Sequence, residues 1–130
     1  MKRLTPAIQD YLRALLELSA IGEPVRTTAV AERLGVSKAS VSQAMDVLKR
    51  VGYIAKEPYG PIRLTPKGRK TANEIKRRNL LIRTLLIEVL GVKEEIALHD
   101  ACSIEHQISA ETVRKIEGYL HRIALWPKPN

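Results

Sequence analysis

The chain of 130 residues contains one cysteine and lacks a long hydrophobic run. A single cysteine cannot form a disulfide within the chain, which fits a reducing, intracellular setting. The most apolar stretch, residues 80–90, contains Arg83 and Glu88 and is too short to span a membrane. Asp10 and Arg13 interrupt the apolar N-terminal segment, so that segment is not typical of a signal peptide. We therefore expect a soluble, cytoplasmic protein with no membrane partner.

Sequence features typical of an enzyme are also scarce. The chain has no glycine-rich phosphate loop, and 130 residues leave no room for a substrate domain beside the elements described below. Cys102 and His106 could suggest a nucleophile and its base, or a metallohydrolase, but we find no third catalytic partner. We therefore predict that the protein is not an enzyme, with no catalytic residues and no small-molecule substrate.

Positive charge is concentrated in the first part of the chain. Residues 1–80 carry 16 Lys and Arg and 7 Asp and Glu, whereas residues 81–130 carry 6 and 7. An excess of +9 in one segment favours a nucleic-acid partner, because basic side chains neutralise phosphates and release counterions. Solvated basic helices give the same composition, so charge alone leaves the question open.

The hydrophobic periodicity predicts a mainly α protein: a winged helix-turn-helix followed by a helical domain. In the segment SKASVSQAMDVLKRVG, Val41, Ala44, Met45 and Leu48 face inward, while Lys38, Ser40, Gln43 and Lys49 can face outward. The pieces YIAKE and IRLT, joined by a turn at PYGP, predict a two-stranded wing. We expect helices over about residues 5–20, 27–35, 37–52, 65–90, 94–108 and 110–125.

The third helix has the pattern of a recognition helix. The N-terminal residues of such a helix reach base edges in the major groove of double-stranded DNA. Ser37, Ala39 and Gln43 are the best candidates to read bases, and Lys56 and Arg63 in the wing could reach the DNA backbone or minor groove. Winged helices also dock proteins, but the local basic charge favours DNA. The candidate phosphate contacts are Thr27, Thr28, Lys38, Ser40, Ser42 and Arg50.

The segment HDACSIEH, residues 99–106, holds two histidines, the only cysteine and two acidic residues. On a helix, His99, Cys102 and His106 would share one face, with Glu105 beside them. Cysteine, histidine and carboxylate together suit a transition metal. A solvated polar face and a small buried cysteine are the alternatives, and one helix does not supply a complete coordination sphere.

Four ordered segments resemble the diphtheria-toxin-repressor family of metal-dependent transcriptional repressors. They are DYLRALLEL, TTAVAERLGVSKASVSQAMDVLKRVGYI, LTPKGRK and ACSIEHQIS, the last being similar to the family's Cys-x-x-Glu-His metal helix and the serine after it. The resemblance ends near residue 125, so we expect the family's optional C-terminal SH3-like domain to be absent. In that respect the chain is similar to the shorter manganese transport regulator branch.

The resemblance implies both a function and a ligand set. The function is transcription regulation: a metal-loaded homodimer represses metal-homeostasis genes at a palindromic operator. The implied metal ligands are Asp10, Cys102, Glu105 and His106, with a DNA-binding domain over residues 1–70 and a metal-binding and dimerisation domain over 71–130. The ligand set pairs hard carboxylates with a soft thiolate, so iron as Fe²⁺ is our first choice and manganese as Mn²⁺ the second, with Zn²⁺ or Co²⁺ also suitable.

The chain departs from the family at the second metal position. Asn79 stands where the family has a histidine, and Arg13 or Arg83, depending on the branch, stands where it has a carboxylate. Cationic side chains repel a second metal ion, so we expect at most one tightly bound metal per chain. An arginine that pairs with Glu105 could even replace the metal. His99 is not one of the mapped ligands. We expect it to be a surface residue or to contact a ligand, although it could also substitute for a missing ligand.

The last helix carries an apolar stripe of Val113, Ile116, Leu120 and Ile123. The resemblance makes this stripe the dimer interface, although an internal core would use the same pattern. Three other readings of the whole chain stay open beside the repressor. An enzyme is the least favoured, an architectural or RNA-binding protein is another, and a winged-helix regulator that senses a small organic ligand or acts independently of metal is the main alternative.

Overall fold

The computed structural model describes residues 4–22 and 24–126. These residues form two compact units, and the division between the units falls after Ile75. The first unit contains α1 (Pro6–Ser19), α2 (Thr27–Leu34), α3 (Lys38–Arg50), β1 (Ile54–Lys56) and β2 (Ile62–Leu64). Helix α4 (Pro66–Thr84) begins in the first unit and continues into the second, where α5 (Glu94–Ile104) and α6 (Ala110–Arg122) follow. The predicted fold class, a mainly α protein with a winged helix-turn-helix and a further helical part, is confirmed.

Local capping signals explain where the first helices begin and end. The Thr5 side chain accepts a hydrogen bond from the Ile8 N–H at 3.2 Å, and Pro6 occupies the first helical position of α1. Ser37 caps α3 in the same way, accepting the Ser40 N–H at 3.1 Å. Gly35 ends α2 in the left-handed conformation, with φ of 65°, which a residue without a Cβ adopts at little cost.

The first unit packs its three helices and wing around one apolar core. Strands β1 and β2 pair antiparallel, with Ala55 opposite Arg63, and the Ile62 N–H also donates to the Val25 carbonyl at 2.8 Å. The linker before α2 thus extends the wing on one side. The most deeply buried core side chains are Leu12, Leu15, Val30, Val41 and Leu48.

The second unit has a smaller core of its own. Leu81 on α4 packs with Val113 and Leu120 on α6, and Ile116 and Trp126 are partly buried against them. No helix within the described part of the chain is long and apolar enough to cross a membrane.

The fourth helix was predicted to run to about Leu90, but its α-helical hydrogen bonding ends at Thr84. A π-helical turn, Leu85–Val89, follows, in which the Leu90 N–H donates to the Leu85 carbonyl at 3.1 Å. The Val92 N–H then donates to the Leu86 carbonyl at 2.8 Å, and Gly91 has φ of 71°. The glycine stop was therefore predicted at the right place, while the widened last turn was not foreseen.

The fifth and sixth helices were both predicted too long. Helix α5 ends at Ile104 rather than Ile108, and Ser109 is extended, with ψ of 157°, where it caps α6. The intervening residues tighten into a turn in which the Gln107 N–H donates to the Ile104 carbonyl at 2.9 Å. Helix α6 ends at Arg122 rather than Leu125, because Ala124 takes the left-handed conformation with φ of 62°. The predicted helix stop after Trp126 falls on residues 127–130, outside those described.

Two helical glycines provide a matched test of this packing. A Cβ on Gly68, in the first turn of α4, would lie 1.9 Å from the Tyr53 carbonyl oxygen, whereas a Cβ on Gly118 in α6 would meet nothing within 4 Å. We expect Gly68→Ala to lower the free energy of unfolding by about 1–3 kcal/mol through this overlap. Gly118→Ala should raise it by about 0.5–1 kcal/mol, because alanine favours the helix. Thermal unfolding at one fixed protein concentration measures both, and a stabilised Gly68→Ala would contradict the close approach.

Candidate metal centre and DNA-binding helix

Helix α3 separates an apolar inner side from a polar outer side. Its four predicted core residues are all buried, and Ser37, Ala39 and Gln43, the predicted base readers, are exposed. The Ser37 hydroxyl accepts the Ser40 N–H and donates to the Ser40 Oγ at 3.0 Å. Because Ser37 is committed to capping the helix, Ala39 and Gln43 are better placed than Ser37 to meet a base.

The predicted phosphate contacts lie at the surface around this helix. Thr27 is half-buried, and the others, Thr28, Lys38, Ser40, Ser42 and Arg50, are exposed. In the wing, Arg63 is exposed, whereas Lys56 is half-buried and its Nζ donates to the Glu57 carbonyl at 3.4 Å. Arg63 is therefore more accessible to a DNA backbone than Lys56.

The metal motif lies at the end of α5 in the second unit. Cys102 belongs to the helix and is exposed, Glu105 is the C-terminal cap residue, and His106 follows in the turn. The Glu105 side chain is 1% exposed and the His106 side chain 6% exposed, with 3.6 Å between Glu105 Oε1 and His106 Nε2. The early end of α5 thus turns these two side chains into a buried pair, instead of placing His106 on one helical face with His99 and Cys102.

Two consecutive residues of α4 contact the motif. Asn79, which is buried, directs its Nδ2 toward Cys102 Sγ at 4.0 Å, at the limit of a hydrogen bond to sulfur. Arg78 Nη1 donates to the Glu105 backbone carbonyl at 3.2 Å. Helix α4 therefore contacts the side chain of one predicted ligand and the backbone of another.

Sequence reasoning identified Asn79 only as a departure from the family and missed Arg78. A signal for Arg78 was nevertheless available. The last turn of α5 contains no basic residue. The exposed carbonyls at a helix C-terminus need donors and favour a positive charge, so a basic residue from a neighbouring helix was to be expected there.

The fourth mapped ligand, Asp10, and the arginines Arg13 and Arg83 lie on helices other than α5. Asp10 is half-buried on α1 in the first unit, and Arg13 on the same helix has its Nε 3.6 Å from Glu17 Oε1. Arg83 is half-buried near the end of α4, and its buried Nε has no hydrogen-bond partner among the described residues. The second unit therefore contains a half-buried cation on the same helix as Asn79.

His99 and the apolar stripe of α6 have different surroundings from the buried pair. The His99 side chain is 85% exposed, 3.5 Å from Asp100, and is a surface group.

Val113 and Leu120 are buried in the core of a single chain, and Ile116 is half-buried against it. These three thus have the internal role that the stripe also allowed, while Ile123 is 42% exposed.

The donor set fits a divalent transition metal. An imidazole nitrogen and a carboxylate oxygen, both ligands of such ions, lie together at Glu105 and His106. A carboxylate that is 1% exposed is costly to keep charged, and a bound cation would offset that cost.

Comparison with known proteins identifies both parts of the chain. Residues 3–62 match the family model for the N-terminal DNA-binding domain of iron-dependent repressors. Residues 65–128 match the model for the metal-binding and dimerisation domain of iron-dependent repressors.

Individual relatives agree with these matches. An uncharacterised helix-turn-helix transcriptional regulator of Methanocaldococcus jannaschii is 32% identical over 92% of this chain and 96% of its own length. The transcriptional regulator MntR of Salmonella typhimurium is 37% identical over 82% of this chain and 67% of its own. The diphtheria toxin repressor of Corynebacterium glutamicum is 32% identical over the whole chain and 57% of its own length.

Among solved structures, the manganese regulator SloR superposes with a TM-score of 0.80 and 28% identity, over 91% of this chain and 55% of that one. The chain thus spans little more than half the length of SloR and of the diphtheria toxin repressor. The matches nevertheless run through both units of the fold. They confirm the resemblance to the diphtheria toxin repressor that the sequence predicts, and the chain belongs to the family of iron-dependent repressors.

Proposed function

We propose that this protein is a metal-dependent transcriptional repressor that controls metal-ion homeostasis in the cytoplasm. The observation that carries the proposal is the buried pair of Glu105 and His106 at the end of α5. The same chain presents a serine-capped helix with an exposed polar face, the arrangement of a DNA-reading helix. The relatives support this combination, since they include transcriptional regulators and a manganese regulator.

The ligand set that we propose is Asp10, Cys102, Glu105 and His106. Glu105 and His106 supply the buried pair, and Asp10 and Cys102 rest on their match to the family's ligand positions. Cysteine binds metals as a thiolate, so metal binding that uses Cys102 should depend on pH. A thiolate favours Fe²⁺, Co²⁺ or Zn²⁺, whereas carboxylates favour Mn²⁺, so iron remains the first choice and manganese the second.

We further propose that each chain holds one tightly bound metal. The family's second site needs an imidazole at the position of Asn79, whose amide is a weaker ligand and is engaged with Cys102. Arg83, a cationic residue, lies one helical turn away on the same helix. A second cation would meet this charge in a partly buried setting, where repulsion is poorly screened.

The proposed DNA target is a palindromic operator bound by a homodimer. Two-fold symmetry would present two α3 helices to two half-sites separated by one DNA turn or a multiple of it. We propose that DNA binding resides in residues 1–70 and metal binding and dimerisation in 71–130.

The dimer surface that we propose differs in part from the predicted stripe. Val113 and Leu120 are buried in the internal core, and Ile123 is the exposed member of that stripe. Other large apolar side chains of the second unit are also exposed and suit burial against a second copy. They are Leu90, Ile96, Leu98, Ile104, Tyr119 and Leu125.

In the proposed mechanism, Glu105 and His106 would hold a divalent cation, with Cys102 and Asp10 as the further ligands. When bound, the cation would supply a positive charge that offsets the charge of these side chains and favours the arrangement that fits the operator. Metal binding and operator binding would then raise each other's affinity by the same factor. The corresponding coupling free energy is typically about 1–3 kcal/mol.

Anaerobic calorimetric titration tests the metal site with two histidines as a matched pair. We expect the wild-type protein to bind one Fe²⁺ or Mn²⁺ per chain. His106→Ala should lose binding because it removes a buried ligand, whereas His99→Ala should retain it because His99 is a surface group. Asp10→Ala and Cys102→Ala should both weaken binding.

Three results would contradict these metal proposals. Two tight sites in the wild type would refute the single-metal stoichiometry. Retained affinity in His106→Ala would refute the ligand set. A wild type that binds no metal, yet binds DNA in the presence of a chelator, would favour the regulator that senses an organic ligand or acts without metal.

Two exposed residues of α3 should separate sequence reading from phosphate binding. Gln43→Ala should reduce discrimination between operator variants by about 1–3 kcal/mol at one base pair, because an amide can pair with a base edge. Lys38→Ala should weaken binding to all variants alike and lower the dependence of log affinity on log salt by about one unit. Competition binding at several salt concentrations measures both effects, and unchanged discrimination in Gln43→Ala would count against its role.

A further inference from the structure

The first unit contains a cleft that the proposed function does not use. It lies where the end of α1, the linker before α2, strand β2 and the first turn of α4 meet, and its volume is about 390 Å³. Small-molecule sites in proteins occupy roughly 300–1,000 Å³, so a small organic ligand fits this space. The described residues that line the cleft include no proposed metal ligand and no predicted base reader.

The interior of the cleft is apolar. Leu15, Val25 and Ile62 line it, and all three are buried members of the core of the first unit. Leu64, which is half-buried, adds further apolar surface. The apolar part of a ligand would therefore be covered by side chains that the fold already holds in place.

Two prolines make the walls of the cleft rigid. Pro24 and Pro61 both line it, and each directly precedes one residue of the antiparallel bridge between Val25 and Ile62. The Ile62 N–H donates to the Val25 carbonyl at 2.8 Å in that bridge. Because proline fixes φ, the backbone on either side is restricted before any ligand arrives. A preformed cleft of this kind loses little conformational entropy on binding.

Two arginines give the cleft a positive charge. Arg63 and Arg69 line it and are exposed, and the described lining residues include no acidic group. Neither guanidinium has an ion pair or hydrogen bond with another residue in the described part of the chain. A guanidinium is a planar group of donors that matches the geometry of a carboxylate. The charge of the cleft is thus complementary to a small organic anion.

The start of α4 adds to the attraction for an anion. The Thr65 hydroxyl accepts the Gly68 N–H at 3.0 Å, and the Thr65 carbonyl accepts the Arg69 N–H at 2.8 Å, so the backbone of Arg69 is fixed in this turn. The first turn of α4 contains no acidic residue. A helix N-terminus carries a partial positive charge, which disfavours a nearby cation such as Arg69 and favours a bound anion.

From these observations we propose that the cleft binds a small organic carboxylate. The apolar body of the ligand would pack against Leu15, Val25 and Ile62, and its carboxylate would pair with Arg63 and Arg69. The apolar lining favours this class over an inorganic anion, which would gain nothing from covering those side chains. The site is separate from the proposed metal ligands and goes beyond the proposed function.

Amide NMR spectra of the full chain, titrated with three probes, test the site. Benzoate should shift the signals of residues that line the cleft, among them Ser19, Val25 and Ile62, with a dissociation constant of about 1–10 mM for so small a ligand. Benzamide keeps the ring but lacks the charge, and it should bind about tenfold more weakly because two exposed ion pairs are lost. Acetate keeps the charge but lacks the ring, and it should give no saturable shift of these signals.

Two substitutions on α4 form a matched pair for the same titration. Arg69→Gln and Lys70→Gln each remove one positive charge from neighbouring exposed positions, but only Arg69 lines the cleft. Arg69→Gln should weaken benzoate binding about threefold, the effect of one exposed ion pair. Lys70→Gln should bind benzoate like the wild type. Arg69 is preferred to Arg63 for this test because Arg63 is also a candidate DNA contact.

Three results would overturn the proposal. Benzoate shifts that do not saturate, or that lie outside the cleft, would show that the cleft is not a binding site. Equal affinity for benzoate and benzamide would remove the role of the arginines. Equal loss of affinity in Arg69→Gln and Lys70→Gln would show that only the general positive charge of the surface attracts the anion. Each of these results would leave the proposed metal site and DNA-reading helix unaffected.

Discussion

The second unit depends on a carboxylate that is almost completely removed from water. Glu105 is 1% exposed at the point where α5 ends, and His106 is buried beside it. Keeping a buried carboxylate charged is expensive, so a fold that places it there must supply hydrogen bonds, a proton or a cation. With a histidine beside this carboxylate, the cation that we propose is a transition metal, because imidazole and carboxylate are both ligands of such ions.

The surroundings of the motif support the proposal that this chain holds one metal and not two. Asn79 offers an amide instead of an imidazole, and its Nδ2 is directed toward Cys102 Sγ. Arg78, the preceding residue, donates to the backbone of Glu105, which steadies the end of α5 without consuming a carboxylate oxygen. These contacts of α4 support the proposal of a single site, and Arg83 on the same helix adds a positive charge that would repel a second metal.

The sequence predicted the elements that local signals specify and failed where packing decides. Ser37 and the apolar spacing of α3 were sufficient to predict its start and its buried side. The end of α5 was wrong by four residues, because the residues between Ile104 and Ser109 form a tighter turn that helical periodicity does not encode. The contacts of Arg78 and Asn79 with the motif depend on how α4 and α5 pack, which periodicity does not encode. Asp10 and Cys102 were assigned as ligands by resemblance, and their role stays a prediction.

The construction of the first unit constrains what a regulatory metal can do. Its core is built from residues no later in the chain than Ile75, and the cap of α3 is made by Ser37 within the same unit. The recognition helix is therefore complete without any ligand from α5. In the proposed repressor, metal would not fold the DNA-reading helix but would restrict where two such helices stand in the dimer. An effect of this kind needs only the few kcal/mol that separate two arrangements, far less than the free energy of folding a domain.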